Sequence, residues 1–89
     1  MSIDFRNTEP FHDHVREAIV FIGKYGPRRV RCSISADALK ERFGAVGNSL
    51  TELFDAFLPN REAIEAAAQR KFVEMGRNVD AVVLRPRDF

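Results

Sequence analysis

The chain has 89 residues and a mass of 10.1 kDa, a length that fits one domain over residues 1–89. Its 14 basic and 13 acidic side chains leave a net charge of +1, which excludes a histone-like polycation, and 45% hydrophobic residues exclude a disordered polymer. A single cysteine, Cys32, excludes an internal disulfide, and the longest strongly apolar run, Ala18–Ile22, is too short to span a membrane.

The N-terminal 17 residues predict little regular structure. Ile3–Phe5 alternates and could form a short strand, but Asn7–Pro10 interrupts it, and residues 11–17 look irregular. The first five residues contain neither a basic segment nor an apolar one, so we expect no signal peptide. The sequence therefore predicts a cytoplasmic protein that does not contact a membrane.

The next segment predicts a β-hairpin. Ala18–Ile22 is rich in β-branched and aromatic residues, which favour a strand. Gly23–Pro27 is typical of a turn, because it contains two glycines and a proline. The following run, Arg28–Ser35, alternates between apolar and polar residues. Its apolar face consists of Val30, Cys32 and Ile34.

Three helices are predicted after the hairpin. Ser35 is typical of a helix N-cap and Gly44 of the residue that ends a helix. Ser49–Glu52 matches a capping box, and the helix behind it is interrupted by Pro59. We expect Asn60 to cap a third helix that continues through Met75.

The last element is a short apolar strand, Ala81–Leu84, which ends before Pro86. The predicted order is strand, strand, helix, helix, helix, strand. Strands followed by helices are typical of an α+β fold. We therefore expect a small antiparallel sheet of three strands, with the N-terminal segment as an optional fourth, and two to three helices packed on it.

The strands differ in how their apolar residues are distributed. The strand 28–35 is apolar on one face only, whereas the first and last strands are apolar on both. Helices on one side of the sheet cannot cover both faces, so we expect the protein to form a homodimer. The residues expected at that contact are Val20, Ile22, Val82 and Leu84. The alternative is that the N-terminal segment, with Ile3, Phe5 and Phe11, covers this face.

Several segments together resemble a family of small bacterial proteins described as "domain of unknown function 1488". The similarity lies in Ile3–Phe5, in Arg28–Ser35 with the following Ala38-Leu39 and Arg42-Phe43-Gly44, and in Asn60–Glu65 with Ala68 and Lys71. It covers nearly the whole chain. The resemblance implies a stand-alone α+β domain of bacterial origin, and it implies no activity, because the family has none assigned.

The residues that could support chemistry are few. His12 and His14 flank Asp13 and could face one metal ion, but a third ligand would have to be Cys32, which we expect on the apolar face of its strand. No nucleophile motif or phosphate loop occurs in the sequence. We therefore expect no metal, no cofactor and no enzymatic activity.

The hairpin carries a local excess of positive charge. Residues 18–36 contain no acidic side chain. The four basic residues of this stretch, Lys24, Arg28, Arg29 and Arg31, could contact a phosphate backbone or simply protect a sheet edge. We expect a non-catalytic binding or assembly module that acts through protein–protein contacts. Nucleic-acid binding by the hairpin Lys24–Arg31 is the alternative.

Overall fold

A computed structural model of the protein describes residues 2–89 and shows one four-stranded sheet. Its strands are β1 (Phe11–Asp13), β2 (Ala18–Tyr25), β3 (Arg28–Ser35) and β4 (Ala81–Leu84). They lie side by side in chain order, β1-β2-β3-β4. The pairs β1–β2 and β2–β3 are antiparallel, whereas β4 runs parallel to β3.

The helices are α1 (Ala36–Phe43), α2 (Leu50–Phe57) and α3 (Arg61–Glu74). The Ser35 hydroxyl accepts a hydrogen bond from the Ala38 N–H at 3.0 Å and so begins α1. Gly44 ends α1 with φ +76°, a backbone conformation that glycine adopts without strain. Ser49 and Glu52 form the predicted capping box at the start of α2. The α+β class is thereby confirmed.

The direction of β4 differs from the prediction of a purely antiparallel sheet. α1, α2 and α3 all lie between β3 and β4 in the chain. This long connection returns the chain to the end of the sheet where β3 begins, and Ala81 therefore pairs with Arg31. A crossover of this kind allows a parallel neighbour, which a tight turn would not.

The hairpin turn is shorter than predicted. β2 continues through Tyr25, so only Gly26, with φ +62°, and Pro27 remain between the strands. Gly23 lies within β2, where a Cβ would clash with Ile3 Cγ2 and would lie 2.7 Å from Phe5 Cε1. The glycine is thus explained by close packing rather than by a turn.

The N-terminal segment also differs from the prediction. The short strand forms at Phe11–Asp13, which the sequence analysis left irregular, whereas around Ile3–Phe5 only Asp4 forms a bridge, to Lys24. The amide of Gln69 accepts a hydrogen bond from the Ile3 N–H at 2.8 Å and donates one to the Ile3 carbonyl at 2.6 Å. These bonds hold Ile3 in the core.

The junction of α2 and α3 is a short 3-10 helix, Leu58–Asn60. Asn60 does not cap α3 with its side chain; its amide donates to the Ala56 carbonyl at 2.8 Å instead. α3 ends at Glu74, and Met75, which was expected to continue the helix, is its C-cap. A second 3-10 turn, Pro86–Asp88, follows β4.

The core lies between the helices and one face of the sheet, which we call the inner face. Phe21, Phe57 and Phe72 are its largest side chains, and each is at most 1% exposed. Ile3 and Phe5 complete this core at one end of the sheet. The N-terminal residues 3 and 5 therefore extend the core and do not cover the opposite face.

Candidate binding surface

Among residues 2–89, no helix packs on the opposite face of the sheet, which we call the outer face. Alternation along the strands assigns to it the side chains that point away from the core. These are Phe11 and Asp13 of β1, Ala18, Val20, Ile22 and Lys24 of β2, Arg29, Arg31, Ser33 and Ser35 of β3, and Ala81 and Val83 of β4. Val20 and Ala18 are buried but do not belong to the core cluster. The two faces are therefore separately packed.

Val20 is covered by its own neighbours on the outer face. Phe11 lies beside it on β1 and Ser33 beside it on β3. The Arg31 guanidinium carbon lies 6.0 Å from the Phe11 ring centroid, and its Nη2 donates to Asp13 Oδ2 at 2.9 Å. The Arg31 side chain thus extends from β3 across β2 to β1 and covers Val20, which is 0% exposed. Val20 is consequently not available to a partner.

Two further residues expected at a self-association surface also lie elsewhere. Val82 and Leu84 are 0% exposed and belong to the core, because they pair with Cys32 and Ile34 and share the inner face with them. The accessible side chains of β4 are those of Ala81 and Val83, and Val83 is 39% exposed. Because β4 is apolar on both faces, its alternation does not show which pair of residues faces the helices. The sequence analysis placed Val82 and Leu84 on the accessible face, and the structure places Ala81 and Val83 there. Of the expected set, only Ile22 is partly accessible on the outer face.

The basic residues of the hairpin are divided between the two sides. Arg28 lies next to Tyr25 on the inner face of the sheet, at the turn end of the hairpin. Its Nη2 donates a hydrogen bond to the Arg77 carbonyl at 2.6 Å. Lys24 and Arg29 are exposed cross-strand neighbours on the outer face. Arg31 is held by Asp13. The four residues do not form one continuous patch.

Asp13 organises the charged end of the outer face. Its carboxylate accepts from the backbone N–H groups of Val15 at 3.1 Å and Arg16 at 3.2 Å. It also accepts from the side chains of Arg16, at 3.3 Å, and Arg31. The bonds from Arg16, led by the one from its backbone N–H, and the bond from the Val15 N–H outweigh the effect of burial and lower the pKa of Asp13. One carboxylate thereby orients two guanidinium groups.

A groove of about 330 Å³ opens beside this carboxylate, and we call it the arginine groove. Three guanidinium-bearing residues from different elements line it: Arg16 from the β1–β2 turn, Arg31 from β3 and Arg85 after β4. Ser33 and Val83 lie between them. Ser33 is 8% exposed and is the one polar residue in the buried set of residues 2–89.

A second groove, of about 550 Å³, lies toward the hairpin turn. Phe11 and Ile22 supply its apolar part and Lys24 and Arg29 its positive charge. Two acidic residues border it on the N-terminal side, Glu9 and Asp4, and Asp4 is paired with Arg6. The outer face therefore combines exposed apolar side chains with basic ones along its length.

The residues considered for chemistry are apart from this surface. The rings of His12 and His14 lie 5.5 Å apart, and His12 Nε2 is buried without a hydrogen-bond partner. Cys32 is fully buried in the core, where burial raises the pKa of its thiol to about 12. Within residues 2–89, no three His, Cys, Asp or Glu side chains are placed to hold a metal ion.

In the part of the chain that the structure describes, no helix has both the length and the apolar character needed to cross a membrane. A family model described as "Protein of unknown function (DUF1488)" matches residues 3–84. The chain belongs to this family. The matched residues include β1 to β4 and all three α-helices. They also include every lining residue of the two grooves except Arg85. Comparison with curated proteins and with solved structures found no match.

Among the charged residues of the arginine groove, the sequence pattern singled out only Arg31. Arg85 continues the alternation of Ala81 and Val83 beyond the end of β4, and this spacing could have placed it on their face. Arg16 lies in a turn, where spacing carries no such information. Asp13 was considered only as a neighbour of two histidines, because β1 was not predicted.

Proposed function

We propose that the protein is a non-catalytic binding module whose contact surface is the outer face of the sheet, and that its partner is another protein. The observation that carries the proposal is the combination of accessible apolar side chains, Phe11, Ile22 and Val83, with basic side chains on a face that no helix covers. Apolar centres with arginine around them are typical of protein-binding surfaces. We place this function in a bacterial cytoplasm, which suits a chain whose one cysteine is buried.

The charge of the face indicates the chemistry of the partner. Lys24, Arg29 and Arg85 have no hydrogen bond or ion pair from their side chains within residues 2–89, whereas Asp13 is already paired. An acidic surface with apolar side chains would complement this arrangement, and opposite charges also accelerate association. We therefore infer a partner segment that presents carboxylates or other anionic groups.

Self-association is the competing possibility, as the sequence analysis expected a homodimer. Two outer faces brought together would oppose the basic residues of one copy to those of the other. Such like-charge contacts disfavour association. The exposed residues that a dimer would have to use are Phe11, Ile22, Ala81 and Val83, not Val82 and Leu84. An acidic partner fits the charges better than a second copy.

Nucleic acid is the remaining alternative. It requires several basic side chains that are free to reach phosphates, and preferably an aromatic platform for bases. Arg28 is bound to the Arg77 carbonyl, and Arg31 is bound to Asp13. Phe11 is 44% exposed, but the Arg31 guanidinium lies above its ring. These contacts favour a protein partner.

Site-specific photo-cross-linking in the native cell tests the proposal. A photoreactive residue replaces Val83 on the outer face, and the matched control replaces Val73, which is 46% exposed on α3. We expect a heterologous protein to be cross-linked from position 83 and not from 73. The purified partner should then bind the wild type and lose affinity for Val83→Asp. Cross-links only to a second copy would establish self-association, and cross-links only to nucleic acid would establish the alternative; either result would overturn the proposal.

A further inference from the structure

The arginine groove contains a serine hydroxyl that no protein group binds. Ser33 lies at its floor with 8% of its surface exposed, and no hydrogen bond within residues 2–89 involves its Oγ. Among the described side chains, only His12 Nε2 is both sealed from solvent and unpaired, so the Ser33 hydroxyl opens onto the groove. A ligand oxygen in the groove could therefore accept a hydrogen bond from this hydroxyl in place of water.

The guanidinium groups around Ser33 are partly fixed in place. Asp13 binds Arg31 at 2.9 Å and Arg16 at 3.3 Å. Each guanidinium has five N–H donors, so both retain donors for a ligand. Arg85 also lines the groove, and its side chain has no hydrogen bond or ion pair within residues 2–89. Because Arg16 and Arg31 are positioned before a ligand binds, less conformational entropy is lost when the complex forms.

The charge of the groove distinguishes between anionic ligands. Arg16, Arg31 and Arg85 bring three positive charges and Asp13 brings one negative charge, so two positive charges remain. A phosphate monoester carries about −1.5 to −2 at pH 7 and has three terminal oxygen acceptors. A carboxylate would leave one positive charge without a counter-charge and would offer only two oxygens. Guanidinium groups also match phosphate in geometry.

We propose that the arginine groove binds a single phosphate monoester group, carried by a phosphorylated side chain of the protein partner. The proposal rests on the proposed function and names the anionic group that the outer face recognises. In the complex, the phosphate oxygens accept from the three guanidinium groups and from Ser33 Oγ. Val83, at the edge of the groove, contacts an apolar residue next to the phosphorylated one.

Binding of short synthetic peptides, followed by NMR of the ¹⁵N-labelled protein, tests this proposal. The probe is a blocked peptide with a central phosphoserine flanked by leucine, compared with the same peptide carrying serine or aspartate and with a mononucleotide. We expect the phosphopeptide to shift the amide signals of Ser33 and Val83 and to bind about tenfold or more tightly than the aspartate peptide. The serine peptide should cause no shifts.

Variants show whether the groove is responsible. Arg85→Gln removes a guanidinium that takes part in no hydrogen bond or ion pair within residues 2–89, so the fold should be kept, and phosphopeptide affinity should fall about tenfold. The matched control is Arg70→Gln, an exposed arginine of α3 that lines neither groove, which should change affinity less than twofold. Ser33→Ala should also weaken binding.

Three outcomes would overturn the inference: no groove shifts with millimolar phosphopeptide, equal affinity for the aspartate peptide, or tighter binding of the mononucleotide. A separate measurement distinguishes this failure from failure of the proposed function. If the partner found by cross-linking from position 83 still binds with unchanged affinity after phosphatase treatment, the binding module stands and the phosphate site does not. If phosphatase treatment releases it, both stand.

Discussion

The two faces of the sheet are built from the same strands but are covered by different parts of the chain. The inner face is completed by the three helices and by Ile3 and Phe5, and its side chains form one continuous apolar cluster. The outer face is completed only by its own side chains, such as Arg31 above the Val20 row, and keeps apolar and basic groups accessible. Stability therefore resides mainly in the inner face, which leaves the outer face free for binding.

The largest loss of unfolding free energy is expected when a core side chain is truncated. Phe57→Ala removes a fully buried ring that packs 5.6 Å from Phe21, and it should lower the free energy of unfolding by about 3–5 kcal/mol. The adjacent Leu58 is 53% exposed, so Leu58→Ala should cost less than about 1 kcal/mol. Urea unfolding measures both. Similar costs for the two variants would show that the helix layer is packed differently.

The next largest loss of unfolding free energy is expected at Gly23, because the side chains of Ile3 and Phe5 lie close to its Cα. In Gly23→Ala the new methyl group would meet Ile3 and Phe5, and the unfolding free energy should fall by about 1–3 kcal/mol. In an Ile3→Ala background the same change should cost less, because the nearest clashing atom is gone. A double-mutant cycle by denaturant unfolding measures this coupling. Additive costs would mean that residue 3 does not lie over position 23.

Acidification should weaken the contact between the C-terminal turn and α3. Burial raises the pKa of Asp88, but hydrogen bonds from the Arg85 N–H and Lys71 Nζ outweigh it, so the pKa is lowered overall. The stabilisation, about 1 kcal/mol, is therefore complete above the unfolded value near 4 and is lost as pH falls below it. Asp88→Asn should destabilise the protein at pH 7 and much less at pH 2, below the lowered pKa of the folded state. The exposed Asp55→Asn is the control, and a cost of Asp88→Asn as large at pH 2 as at pH 7 would refute the assignment.

Cysteine reactivity compares the two faces without changing the core. Cys32 is fully buried and its thiol has a pKa of about 12, so the native protein should react with a thiol reagent at pH 8 only through unfolding. The Val83→Cys variant adds a thiol on the outer face and should react rapidly at that position. Labelling followed by mass spectrometry measures both rates. Fast native labelling of Cys32 would contradict the inner-face assignment.

The comparison of the faces also explains what the sequence could predict. The caps at Ser35 and Ser49 and the alternation of Val30, Cys32 and Ile34 depend on neighbours in the chain, and these predictions were confirmed. The direction of β4 and the burial of Val82 depend on where the helices return the chain, which no local pattern contains. Asp13 and Arg16 meet in a local turn, but Arg31 and Arg85 join them only through the sheet register, and the sequence singled out Arg31 alone.

The most direct test of the two-face account uses neighbouring residues of β4. Val83 points outward and Val82 inward, so their aspartate variants place the same charge on opposite faces. Val82→Asp should not fold stably, because it buries an unpaired carboxylate in the core.

The decisive measurement is the affinity of Val83→Asp for the purified cross-linked partner, with the thermal melt recorded on the same sample. The account predicts a cooperative melt within about 8 °C of the wild type and a loss of affinity of about tenfold or more. Wild-type affinity in a folded Val83→Asp protein would contradict the claim that the outer face is the binding surface.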